Sequence, residues 1–119
     1  MATACIKVIS DGVIKRDAGA MFGPVPKVDW ENVVVTDRRN RITLGLNCIL
    51  LQTGGRNILI DTGVGPKEIN GHREEYGLVP SRLIKEIKAV GLSTKDINSV
   101  ILTDLDFDHC GGCTRLDRS

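Results

Sequence analysis

The order of apolar and polar positions divides the chain into strands, one helix and two irregular stretches. Residues 4–9 (ACIKVI) and 12–15 (GVIK) predict short strands on either side of a turn at Ser10-Asp11-Gly12. Gly19 to Trp30 (GAMFGPVPKVDW) is broken by glycine and proline, which predicts an irregular loop anchored by Met21, Phe22 and Trp30. Arg41 to Gln52 (RITLGLNCILLQ) is apolar almost without interruption, as a strand buried on both faces would be. Thr53-Gly54-Gly55-Arg56 then predicts a hairpin into a second strand, Asn57 to Ile60.

A polar loop is expected from Val64 to Gly77. Beyond it Leu83, Ile84, Ile87 and Val90 recur at helical spacing, with Pro80 and Ser81 as the start signal, Ser81 as N-cap and Gly91 at the C-terminal end. Asn98 to Thr103 is a further apolar strand. Strand, helix, strand is a parallel crossover, so the class is α/β, with a β-hairpin and a βαβ unit in one mixed sheet. The topology sends Asp61 and the residues after Thr103 to the same rim. Ligand sites of α/β sheets collect there, outside the carboxyl ends of the strands.

Composition adds exclusions. The chain has 119 residues, room for a single domain spanning 1–119, and its formal charge is +1. That balance offers no basic footprint for nucleic acid or an anionic membrane, and aromatic residues, at 3%, are too few for base stacking. No apolar run is long enough for a membrane span. The N-terminal stretch MATACIKVISDG lacks the basic and long apolar regions of a signal peptide, so the cytoplasm is the expected location. Cys5, Cys48, Cys110 and Cys113 then read as free thiols.

Candidate chemistry lies in Val100–Gly112, VILTDLDFDHCGG. An aspartate at a strand end is an ordinary turn former or helix cap, and Asp108 could cap a helix opening at His109. Three carboxylates, Asp104, Asp106 and Asp108, are harder to explain that way, because packed together without a counter-ion they repel. Asp104-x-Asp106-x-Asp108 starts like a calcium loop. That loop needs glycine sixth and glutamate twelfth, where His109 and Arg115 stand, so the reading fails. An Asp-x-Asp phosphatase, with Asp104 as nucleophile and Asp106 as acid/base, matches locally but lacks the usual Gly-Thr after the pair. Cys110-x-x-Cys113 is a weak redox signal without a thioredoxin-like order around it, and its glycines are expected to serve a tight turn.

Thr103-Asp104-Leu105-Asp106-Phe107-Asp108-His109-Cys110-Gly111-Gly112 resembles the metallo-β-lactamase superfamily motif Thr-His-x-His-x-Asp-His-x-Gly-Gly. Leu59-Ile60-Asp61-Thr62-Gly63 is similar to the Leu-Ile-Asp-Thr-Gly that precedes it there, and Gly19 to Lys27 resembles the lactonase and organophosphate-hydrolase branch. The resemblance runs from about residue 6 to the end. It implies the N-terminal half of an αββα sandwich with two metal ions, usually zinc, which activate a bridging hydroxide for attack on an ester, lactone, thioester or amide carbonyl. By motif position Asp104 and Asp106 stand at the first metal, and Asp108 and His109 at the second, with Asp108 also at the catalytic position.

Two departures qualify what the resemblance implies. Both first-site histidines are aspartate here, shorter and harder ligands that favour magnesium, manganese or calcium over zinc. The expected first site is therefore weak, remodelled or without metal. The family's remaining ligands come from a second half, and the only other histidine, His72, reads as an exposed loop residue. The expectation is a truncated metal-dependent hydrolase with impaired or no catalysis, an uncovered sheet face, and either self-association or a missing C-terminal half. A non-catalytic metal-binding or interaction module is the alternative.

Overall fold

The computed structural model describes residues 3–67 and 72–116. Strands β1 (Ala4–Asp17), β2 (Arg41–Thr53), β3 (Arg56–Ile60) and β4 (Ser99–Ile101) form one sheet in that order. The first two pairings are antiparallel and the β3–β4 pairing is parallel. The α/β class, the hairpin and the crossover are therefore as expected. Gly54 and Gly55 turn the hairpin with φ of 56° and 74°, the left-handed pair that a two-residue loop needs. Of the expected polar loop, residues 68–71 lie outside the described residues.

The two predicted N-terminal strands are one. Ser10 pairs with Asn47 but Val13 pairs with Gly45, so β1 takes up an extra residue as a bulge rather than turning back. Gly12 accommodates it at φ 121°. The insertion flips which positions face the core. Ile9 is buried before it and Ile14 after it, an odd position followed by an even one. Bulge and turn use the same small polar residues, so the local signal was ambiguous.

β2 also differs from expectation. Ile42, Leu46, Cys48 and Leu50 are buried while Thr43, Gly45 and Asn47 between them are exposed, so one face alone is covered. The covering element is α3 (Leu83–Ala89), whose Leu83 and Ile87 pack on Ile9, Cys48, Leu50 and Leu59. Burial pushes the Cys48 thiol up to about 12, helped by the charges of Asp11 and Asp61, which leaves it unreactive. All four cysteines are free.

On the other face Ile6 lies opposite Leu51 and Val8 opposite Ile49, with Ile58 and Ile60 continuing the row. Ile6 and Val8 are 67% and 69% exposed. This is a contiguous apolar sheet face without a covering layer among the described residues.

The segment predicted as an irregular loop holds two short helices, α1 (Ala18–Phe22) and α2 (Lys27–Trp30). Asp17 caps the first by accepting from the Ala20 amide at 2.8 Å. Phe22 stacks on the buried Trp30, with ring centroids 4.9 Å apart, and Ala18 and Ile42 complete the cluster. Met21, expected as an anchor, is instead exposed.

Ser81 does not cap α3. The cap comes from the bulge of β1: the buried Asp11 carboxylate accepts from the amides of Arg82 and Leu83, both at 3.1 Å, and from the Ser81 hydroxyl. Its second oxygen accepts from the Gly65 amide at 2.9 Å. At the far end Gly91, at φ 85°, donates to Lys88 and Leu92 donates to Ile87, a Schellman closure. No helix among the described residues is long and apolar enough to cross a membrane.

Asp37 organises the approach to β2. The Arg41 amide donates to its carboxylate at 3.0 Å and the Arg39 amide at 2.9 Å, while the Arg41 side chain bonds it at 2.9 Å. The Arg41 amide bond first, then the others, outweigh burial and hold the carboxyl at about 2. A depressed carboxyl stabilises the fold above its unfolded value and ceases to as pH falls through the folded one. Asp37→Asn is therefore expected to lower the melting temperature at pH 7, with the gap to the parent closing between about pH 4 and pH 2 in a melting series.

Candidate metal centre

Parallel pairing of β3 and β4 brings the residues after each strand to one edge. The Asp61 amide donates to the Ile101 carbonyl at 2.8 Å just beyond β3. Asp61 has φ 62°, left-handed backbone that a non-glycine residue adopts at some cost. Its carboxylate accepts from the Thr103 amide at 2.8 Å and from the Thr103 hydroxyl at 2.5 Å. The same carboxylate lies 3.0 Å from His109 Nδ1. Burial alone would raise the Asp61 pKa, but the Thr103 bonds and His109 overcome it and the pKa is lowered. His109 is shifted the other way, chiefly by its bond to Asp61 against a smaller effect of burial. A neutral His109 donating from Nδ1 keeps Nε2 free as an acceptor, the arrangement that carboxylates impose on metal-ligating histidines.

His109 sits on α4 (Phe107–Cys110), which is one turn long and held by packing against the segment after β3. The His109 carbonyl accepts from the Thr62 amide at 2.9 Å and from the Thr62 hydroxyl at 2.7 Å. The Gly112 amide donates in turn to the Thr62 hydroxyl at 3.0 Å. A side chain on Gly111 would strike the Val64 carbonyl, and one on Gly112 the Thr62 carbonyl. The pair thus serves close approach of two backbones rather than the tight turn expected of it.

The three aspartates face one cleft of about 560 Å³, together with Arg16, Asp61 and His109. They are not equivalent there. Asp104 accepts from the Asp106 amide at 2.7 Å, closing its own turn. Asp106, not Asp108, caps α4, accepting from the Phe107 amide at 2.9 Å. Its other oxygen pairs with Arg16 Nη2 at 3.2 Å. Asp108 alone is left free: its Oδ1 is buried without a hydrogen-bond partner and lies 3.8 Å from His109 Nε2.

Among the described residues no three His, Cys, Asp or Glu side chains are arranged to hold a metal ion. The four expected ligands therefore split. Asp108 and His109 fit a cation as a donor pair, an orphaned carboxylate oxygen beside an oriented imidazole. Asp106 does not fit one, since both its oxygens are engaged by backbone and arginine, and Asp104 commits one oxygen to its own turn. His72 is exposed and bonded to Glu75 at 2.8 Å, outside the cleft. Cys110 contacts the Leu105 carbonyl at 3.3 Å, whereas Cys113 approaches the Thr62 hydroxyl at 3.9 Å.

Arg16 is the residue that pattern reading missed, because it joins the cleft across 90 residues of chain and no local motif marks it.

Residues 42–119 match the family model of the metallo-beta-lactamase superfamily. A probable metal-dependent hydrolase from Staphylococcus aureus superposes with a TM-score of 0.87 at 35% identity, over 93% of this chain and 41% of its own. AidC, a dizinc quorum-quenching lactonase solved with a product, superposes at 0.67 with 25% identity, over 92% of this chain and 35% of that one. The hydrolase AbOPH of the beta lactamase superfamily shares the fold at 0.70 with 21% identity, over 94% and 36% of the two chains. This chain thus spans well under half the length of these structures. No curated protein matches it.

Proposed function

This chain belongs to the metallo-β-lactamase superfamily, and on that footing we propose that it is the N-terminal portion of a metal-dependent hydrolase domain for lactone or ester substrates. The observation that carries the reading is the buried, unpartnered Asp108 oxygen beside His109, whose other nitrogen is fixed by Asp61. Asp108 and His109 would hold one divalent cation, zinc by family, or magnesium, manganese or calcium given the carboxylates. Such an ion, when bound, lowers the pKa of a coordinated water and polarises a carbonyl. Asp61 and Thr103 orient the imidazole, and Asp108, at the cleft wall, would be the catalytic carboxylate.

One equivalent of zinc is expected on the purified chain by elemental analysis, and Asp108→Ala should abolish it. Asp61→Asn, which leaves Asp108 and His109 in place, should weaken binding roughly 10- to 100-fold. Affinity should fall as pH drops through the raised pKa of His109, because the proton and the metal compete for Nε2. Lactone and ester hydrolysis by residues 1–119 alone should stay below an enzymatic rate, since further ligands are expected from a C-terminal half. Zinc bound with Asp108→Ala unchanged would overturn the ligand assignment.

The engagement of Asp104 and Asp106 favours a second reading, a non-catalytic metal-binding or interaction module. The family match over residues 42–119 favours neither the Asp-x-Asp phosphatase nor its fold. In either reading the apolar face around Ile6, Val8, Ile49 and Leu51 calls for a cover, either the remaining sheet of the sandwich or a second copy. Sedimentation of residues 1–119 should accordingly show self-association that Val8→Lys reduces; a monodisperse monomer would count against this.

A further inference from the structure

The corner of the cleft at the first-metal positions carries an arginine where the family pattern implies a cation. We propose that Arg16 is a resident positive charge that takes the place of a first metal ion, pairing with Asp106, whose amide closes a turn on Asp104, so that divalent cations are excluded from this corner. The inference rests on the superfamily assignment, and its test is independent of the ligand roles of Asp108 and His109.

Three observations carry it. Arg16 Nη2 lies 3.2 Å from Asp106 Oδ2, and the arginine side chain is largely withdrawn from water at 20% exposure. The guanidinium also packs over two adjacent rings, its carbon 5.4 Å from the Phe107 centroid and 5.6 Å from that of Tyr76, with the two centroids 5.0 Å apart. Phe107 is the first residue of α4, so the ring contact and the ion pair are built on the same turn that Asp106 caps. Finally, every carboxylate oxygen of Asp106 has a partner, and Asp104 spends one on the Asp106 amide. A metal that recruits Asp106 would have to displace the helix cap or the ion pair.

The charge balance points the same way. Asp61, Asp104, Asp106 and Asp108 face one cleft, and Arg16 is the one arginine or lysine lining it among the described residues. Like charges crowded together are costly without a counter-charge, and a guanidinium keeps its charge at every accessible pH. Aspartate at the two histidine positions is thus compatible with a stable strand tip because β1 brings Arg16 to it.

Manganese(II) tests the proposal, as a hard cation suited to carboxylates and as a paramagnetic probe. In an Asp108→Ala/His109→Ala background, which removes the neighbouring donor pair, the chain with Arg16 intact should bind no manganese in an electron paramagnetic resonance titration. Arg16→Met should bind manganese about tenfold or more tightly at this corner, because an opposing charge is gone and Asp106 is released. The double variant Arg16→Met/Asp106→Asn should lose that gain, and Arg16→Lys should retain partial exclusion. Manganese bound by the Asp108→Ala/His109→Ala chain and lost on adding Asp106→Asn would overturn the proposal, even if Arg16→Met failed to fold. An unchanged manganese affinity in a folded Arg16→Met would do so too. Zinc binding that depends on Asp108 tests the other assignment separately, so the failure of one is distinguishable from that of the other.

Discussion

Asp11→Ala should cost the fold roughly 3–5 kcal/mol in chemical denaturation, a large fraction of the stability of a single domain. The carboxylate is 2% exposed and accepts from three backbone amides and one hydroxyl. Those donors come from Ser81 to Leu83, which lead into α3, and from the segment after β3, so a single side chain ties the bulge of β1 to both. Truncation leaves buried N–H groups unpaired, each costing roughly 1–3 kcal/mol. Asp11→Asn keeps the shape but loses the charge and turns a donor towards one of the amides, so an intermediate loss is expected. Ser81→Ala removes one hydroxyl from the same carboxylate, and roughly 1 kcal/mol is expected there. If Ser81→Ala proved as damaging as Asp11→Ala, the serine rather than the bulge would be the cap.

Gly112→Ala should be nearly as damaging, at roughly 3 kcal/mol, and should also disturb the site. A methyl group there meets the Thr62 carbonyl, so α4 must withdraw from the segment after β3. Withdrawal breaks the bonds from Thr62 to the His109 carbonyl and moves the imidazole off Asp61. The expected signature is coupled: lower stability together with weaker zinc binding. Cys113→Ala, one residue on at an exposed position, should change neither strongly.

Most of the sheet was legible in the chain because its signals are local. The glycine pair at 54 and 55, the apolar row of β2 and the helical spacing of Leu83 and Ile87 each lie within one element. What escaped depends on contacts between elements. Ser10-Asp11-Gly12 looks like a turn because a bulge uses the same residues, and only the pairing with β2 decides between them. Ser81 looks like a cap until Asp11 arrives from another strand. α1 and α2 form around the Phe22–Trp30 stack, a contact that glycine and proline counts do not foretell.

The site divides along the same line. Asp61, Asp108 and His109 could be placed at one edge from strand order and motif position. The use of Asp104 and Asp106 could not, because it is settled by a turn, a helix cap and an arginine on β1. The same carboxylates would read as ligands in a chain that lacked Arg16.

The most direct test is anomalous diffraction from a crystal of the chain grown with zinc. The account predicts one anomalous peak within bonding distance of Asp108 and His109 Nε2, with Asp106 still capping α4 and paired to Arg16. A peak coordinated by Asp104 and Asp106, or no peak near Asp108 at saturating zinc, would contradict it.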